Sequence, residues 1–168
     1  RLQPDVVCMD IRMPGGDGLE ATRRIQQLEP APAVIVITTF DMDEYVFGAL
    51  EAGACGILLK DSSMTDLVEG VRRAALGEGL CDASRARRVI AEFTRRKSIF
   101  TSSSEVLTPR ELDCVAQLCQ GMSNNEIATT LFLEPSTVKT HLSSAMAKTG
   151  THNRVQLVIW AFRNGVVE

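Results

Sequence analysis

Apolar residues along this chain follow two different rhythms, and the change between them divides it. From Asp5 to Asp10 the run DVVCMD is continuously apolar between acids, the pattern of a strand buried on both faces of a parallel sheet. A loop at Pro14 to Gly18 leads to Leu19, Thr22, Ile25 and Leu28, spaced as one helix face. The unit then repeats. VIVIT is β-branched and ends at Thr38, and Tyr45, Val46, Ala49 and Leu50 make a helix running to Gly53. GILLK follows Cys55 as a strand ending at Lys60, the capping signal Ser63 to Asp66 comes next, and Leu67, Val68, Val71, Ala74 and Ala75 face inward. Strands alternating with helices predict right-handed crossovers and a parallel sheet with helices on both faces, a partial doubly wound (flavodoxin-like) α/β domain.

After Leu107 the period is helical throughout. Thr108, Pro109 and Glu111 form a helix start, with Leu112, Val115, Ala116 and Cys119 on its packing face. Ser123 and Glu126 spell a second capping box before Ile127, Ala128 and Leu131. A third helix starts at Pro135, and Val138, Leu142 and Ala145 at i, i+4 and i+7 turn inward. Ser136, Lys139, Thr140 and Ser143 are left outside, a short polar face that fits the major groove of B-DNA. A plain core hairpin is the competing reading of the same pattern. Arg154 to Asn164 makes a fourth helix, with Val155, Val158, Ala161 and Phe162 on one face and a stop at Gly165. Trp160 there is either exposed or packed on the core. The predicted organisation is therefore an α/β domain over 1–77, a linker over 78–106 and an all-α, four-helix domain over 107–168. The linker carries a helix from Asp82 to Lys97 whose arginines (Arg85, Arg87, Arg88, Arg95, Arg96) are either solvated or in contact with DNA phosphates, and then the flexible TSSSE.

Composition changes this picture in three ways. With 168 residues, 45% of them hydrophobic, each half has enough apolar material for a core. No run approaches the roughly 18 apolar residues of a membrane span, and RLQPDVV lacks the features of a signal peptide, so a cytoplasmic protein is expected. The five cysteines (Cys8, Cys55, Cys81, Cys114, Cys119) contain no C-x-x-C pair and read as reduced core thiols rather than metal ligands or disulfides. Residues 1–77 hold twelve acids against seven bases, the linker four against six, and residues 107–168 five of each. The last domain is thus not basic, and DNA affinity would have to come from dimerisation and a few placed contacts. The acidic first part is either a regulatory module that repels DNA or an ordinary solvated surface.

Asp10, Thr38 and Lys60 emerge together at the carboxyl ends of three parallel strands, the edge along which open α/β sheets bind ligands. A carboxylate there can attack a phosphoryl group, an ammonium can neutralise the growing charge and a hydroxyl can bond a phosphoryl oxygen. The spacing, Asp10 with Pro14 four residues on, Thr38 with Thr39, and Lys60 with Asp61, resembles the receiver domain of two-component response regulators. The resemblance implies Asp10 as the acceptor of phosphate from a sensor histidine kinase with Mg2+, Thr38 as the switch hydroxyl and Lys60 as the phosphate-binding lysine. Asp10 would be the one metal ligand present, since the acidic pair of the family's first strand has no counterpart here, and Ile57 stands where the family has an aromatic. A complete receiver has two more strand-plus-helix units in front, about 40 to 50 residues, so a shortened receiver is expected. Haloacid-dehalogenase-type phosphatases also use an Asp after a parallel strand, but Arg12 stands where they need a second Asp.

From Leu107, LTPREL, GMSNNEIATTLFLEPSTVKTHL and RVQLV resemble the LuxR-type helix-turn-helix domain of the NarL/FixJ class. That likeness implies base reading by Lys139, Thr140 and Ser143, phosphate contacts from Asn124, Ser136, Thr137 and Lys148, and a dimer contact on the last helix through Val155, Val158 and Phe162. Glu134 departs from the family's Ser or Thr at the helix start. The implied protein is a response regulator that controls transcription after phosphorylation of Asp10, a switch and not a metabolic enzyme. Its partners would be double-stranded DNA with paired half-sites, a second copy of itself, the kinase, and RNA polymerase as a further candidate. A phosphate-independent DNA-binding protein with an inert receiver remnant is the alternative.

Overall fold

Val34, Ile35 and Val36 are completely buried, and the strand they form is the middle of a three-stranded parallel sheet. A computed structural model describes residues 3–13, 16–39, 43–77 and 106–167, and the chain divides into two units, Arg1–Cys81 and Asp82–Glu168. In the first unit β1 (Val6–Asp10) pairs with β4 (Ala33–Thr38), and β4 pairs with β5 (Gly56–Leu59). Between β1 and the first helix, β2 (Arg12–Met13) and β3 (Gly16–Asp17) form a small antiparallel hairpin where the sequence predicts only a loop. Its described residues also form three helices: α1 (Gly18–Ile25), α2 (Asp43–Glu51) and α3 (Met64–Ala75). The period-2 alternation of β4 serves two cores. Val34 and Val36 pack with Met9, Ile11 and Ala49 on the side of α1 and α2, and Ile35 packs with Cys55 and Ala74 on the side of α3.

Gly18 is the local reason the chain turns as it does after β1. A Cβ there would lie 2.0 Å from the Asp10 carbonyl oxygen, so any other residue forces the backbone apart. Asp17 caps α1 by accepting from the Leu19 N–H at 2.8 Å, and the buried Thr22 hydroxyl donates to the Gly18 carbonyl at 2.7 Å.

Several expected positions are corrected. β1 is less buried than expected: Val6 and Val7 are half-buried and Cys8 is exposed, so Cys8 is not one of the buried thiols. Cys55, Cys114 and Cys119 are buried as free thiols, and burial pushes the Cys55 thiol up to about 11. Cys81 lies outside the described residues. Leu28 falls beyond the end of α1 and is 56% exposed. On α3 the inward side is Leu67, Gly70, Val71 and Ala74, while Val68 and Ala75 face solvent, a rotation of the expected face by part of a turn.

Among its described residues the second unit holds four helices, α4 (Pro109–Cys119), α5 (Asn124–Leu131), α6 (Pro135–Thr149) and α7 (Arg154–Arg163). Both predicted capping boxes form: Thr108 and Ser123 each accept from the N–H three residues on, and Glu111 and Glu126 bond back. The core gathers Cys114, Val115 and Leu118 of α4, Ile127 of α5, Val138, Leu142 and Ala145 of α6, and Leu157 and Ala161 of α7. Trp160 is half-buried and packs against that core. The α5 to α6 turn is made by Phe132 in the left-handed region at φ 55, and α6 ends on Gly150 at φ 66. The predicted linker helix over residues 82–97 lies outside the described residues. Among those described, no helix is long and apolar enough to cross a membrane.

Candidate phosphoryl cleft and nucleic-acid interface

The parallel register brings the three strand-end groups together. Asp10 aligns with Ile37, one residue short of Thr38, and Thr38 aligns with Leu59, next to Lys60. The Lys60 ammonium donates to Asp10 Oδ2 at 2.5 Å, and the Lys60 N–H donates to the Thr38 carbonyl at 2.9 Å. The Arg12 N–H lies 3.3 Å from Asp10 Oδ1. The Lys60 hydrogen bond holds the Asp10 carboxyl below the usual range against the opposing effect of desolvation, with the Arg12 N–H adding to the lowering. Asp10 is therefore a carboxylate at neutral pH, 34% exposed in its side chain and open to a small cleft lined also by Ile11, Thr39 and Tyr45. Thr38 is buried at its wall.

Arg12 and Tyr45 were not singled out for this cleft by their sequence positions. Tyr45 reads as a core-facing helix residue, yet its hydroxyl accepts from Arg12 Nη2 and its ring lies 5.3 Å from the guanidinium carbon. The available signal was that α2 starts just past the end of β4, on the same sheet edge as Asp10. Ile57 is half-buried against the α1 and α2 side of the core. Asp10 is the only carboxylate lining the cleft among the described residues, and among them no three His, Cys, Asp or Glu side chains gather to hold a metal ion. These residues alone do not make a Mg2+ site.

In the second unit, Ser136, Lys139, Thr140 and Ser143 are all exposed on α6, opposite buried Val138, Leu142 and Ala145, and Thr137 is half-buried. The Thr140 hydroxyl donates to the Ser136 carbonyl at 3.0 Å, and its oxygen can still accept. Asn124, the first residue of α5, is half-buried, with its Oδ1 buried and lacking a hydrogen-bond partner. Glu134 holds the N-cap of α6 but makes no side-chain cap bond, while its carbonyl accepts from the Thr137 and Val138 N–H groups.

Two assigned residues are placed differently. The Lys148 ammonium lies 2.9 and 2.8 Å from the two oxygens of Glu111, which is 3% exposed. Ser144 adds a bond to Glu111 Oε1 at 2.7 Å and the Thr108 N–H one to Oε2 at 2.7 Å. Burial pushes this carboxyl up, but Lys148, Thr108 and Ser144 together outweigh it and lower it to about 2. Lys148 thus ties α6 to α4. Val155, assigned to a dimer surface, is 5% exposed and belongs to the core, because α7 turns Val155, Leu157, Ile159 and Ala161 inward. Val158 and Phe162 are half-buried and flank the core.

Comparison with known proteins agrees with both halves. Residues 1–72 match the response regulator receiver domain, and residues 105–161 match the bacterial regulatory proteins of the luxR family. The chain is 39% identical over 168 residues to the uncharacterized transcriptional regulatory protein YxjL of Bacillus subtilis, covering 99% of this chain and 77% of that protein. It is 36% identical to the transcriptional regulatory protein LiaR of the same organism, over 99% of this chain and 78% of LiaR. The response regulator protein VraR of Staphylococcus aureus is 34% identical, over 99% and 78%. The receiver-type parallel sheet, the four-helix output unit and these relatives place the chain in the LuxR family of two-component response regulators, DNA-binding proteins that control transcription.

Proposed function

We propose that Asp10 is the residue through which this regulator is switched, taking a phosphoryl group from a sensor histidine kinase, and that the outer face of α6 reads the operator. The observation that carries the first half is the Lys60 ammonium 2.5 Å from Asp10 Oδ2, with Thr38 on the same edge. Lys60 keeps the carboxylate ionised and orients it. An Asp10 oxygen attacks phosphorus as the phosphorus–nitrogen bond of phosphohistidine breaks, and the imidazole nitrogen keeps that bonding pair and takes a proton. Lys60 offsets charge on the phosphoryl oxygens, and the Thr38 hydroxyl donates to one of them.

In the second half, Lys139 donates to guanine acceptors while Thr140 and Ser143 bond base edges. Ser136, Thr137 and the Asn124 amide hold phosphates, and two copies bind paired half-sites through Val158 and Phe162. Lys148 leaves the phosphate set for its structural pairing with Glu111. RNA polymerase is the natural further partner of a regulator bound at a promoter.

Among the described residues Asp10 is the one carboxylate that lines the cleft, which favours a second reading in which DNA binding by this chain is independent of phosphate. The two are separated by measuring affinity for a selected duplex before and after treatment with a small-molecule phosphodonor and Mg2+, with intact mass recorded in parallel. An affinity that rises with phosphate on Asp10, and does not rise in Asp10→Ala, supports the switch. Phosphate gained with affinity unchanged supports the independent reading.

A further inference from the structure

Arg12 lines the same cleft as Asp10 and Lys60, but its guanidinium is drawn toward the protein's single tyrosine. Its Nη2 donates to the Tyr45 hydroxyl at 2.5 Å and its Cζ lies 5.3 Å from the ring centre. Arg12 stands in β2, two residues past Asp10, whereas Tyr45 is the third residue of α2. Their contact therefore joins the acceptor segment to a separate helix.

We propose that Arg12 is a second phosphoryl-binding cation, and that phosphorylation of Asp10 draws its guanidinium from the Tyr45 phenol onto the phosphoryl oxygens, releasing the first turn of α2. This rests on Asp10 being the acceptor. Before phosphorylation, one carboxylate charge is met by one ammonium at 2.5 Å. A phosphoryl group brings about −1.5 to −2 charges and three strong acceptor oxygens, which a single ammonium does not balance. A guanidinium matches phosphate oxygens in a two-pronged, charge-assisted geometry that the neutral Tyr45 hydroxyl and its ring face do not offer. Reach is not an obstacle. The Arg12 N–H is already 3.3 Å from Asp10 Oδ1, so its side chain departs from beside the place the phosphoryl group takes.

Because the chain has one tyrosine, growth on 3-fluorotyrosine gives the whole chain a single 19F resonance that reports on this contact. The resonance is followed during treatment with a small-molecule phosphodonor and Mg2+, while intact mass gives the phosphorylated fraction. The expected result is a second resonance whose share equals that fraction, lying where Arg12→Ala lies without phosphate, and an Arg12→Ala resonance that does not move. Arg12→Lys, which keeps the charge and loses the fork, is run beside it in case the alanine variant does not fold. A Tyr45 resonance that stays in place while Asp10 is phosphorylated overturns the proposal. A chain that gains no mass counts instead against Asp10 as acceptor, and the link is then decided in Asp10→Ala. There, inorganic phosphate should shift the resonance saturably through Lys60 and Arg12, chloride at equal ionic strength should not, and adding Arg12→Ala should abolish the shift. Absence of any phosphate response in that variant overturns the proposal independently.

Discussion

Glu134 shows how much one side chain decides at the edge of the proposed DNA face. Thr108, Ser123 and Asn153 each cap a helix of the second unit by accepting from N–H groups of its first turn, and Glu134, at the N-cap of α6, does not. Its charge suits the helix N-terminus, but the caps that reach the first-turn N–H groups are Ser, Thr, Asn and Asp. Glu134→Asp keeps the charge and shortens the arm, and is expected to stabilise the second unit by about 1 kcal/mol. Urea unfolding followed by the fluorescence of the one tryptophan, Trp160, which lies in this unit, reads the change; an unmoved midpoint contradicts it. Caps of this kind are legible in sequence because the partner is three residues away. The Arg12 to Tyr45 contact spans 33 residues, and no local pattern announces it.

Among the elements, α4 and α6 are joined by the Glu111 carboxylate, and that joint has a pH signature. Its folded value is lowered to about 2 from an ordinary 4.5. The stability it contributes is therefore complete above pH 4.5 and is lost as pH falls toward 2. With the Lys148 side chain 38% exposed and screened by solvent, the contribution is about 2 kcal/mol rather than the full value of the shift. Glu111→Gln should flatten the acid limb of the Trp160 unfolding curve between those values, and a limb of unchanged slope would place the acid sensitivity elsewhere. Periodicity made α4 to α7 and the inward face of α6 readable, because each helix closes its own pattern locally. It gave too much burial to β1 and rotated the face of α3, since burial and helix docking depend on which neighbours are present. The Lys148 to Glu111 pairing and the burial of Val155 are not legible in sequence for the same reason: one partner is 37 residues away, and the side α7 presents to the core is set by the helices packed against it.

For the whole molecule, the output region's balance of five acids and five bases makes nonspecific attraction to DNA weak, so the proposed function places specificity on a small face and on pairing of two copies. Of the three α7 residues considered for a dimer contact, Val158 and Phe162 are half-buried, whereas Val155 belongs to the core. Val158→Asp should lower affinity for a duplex with two half-sites by about tenfold, roughly 1.4 kcal/mol, and leave a single half-site nearly unaffected. Trp160 unfolding in parallel shows whether the unit still folds, and an equal loss on both duplexes would remove α7 from the dimer contact. The trio of Asp10, Thr38 and Lys60 was legible at this scale because parallel strands deliver their ends to one edge whatever lies between them.

The most direct measurement of the central claim is binding-site selection with the whole chain, followed by affinities of the native protein and Lys139→Ala for the selected duplex and for random DNA. Lys139 is exposed on α6 beside Thr140 and Ser143. The account predicts a loss of about 1 to 3 kcal/mol on the selected duplex, relaxed preference at one base pair, and little change on random DNA. Equal losses on both would make Lys139 a phosphate contact and contradict the reading of α6 as the helix that reads bases.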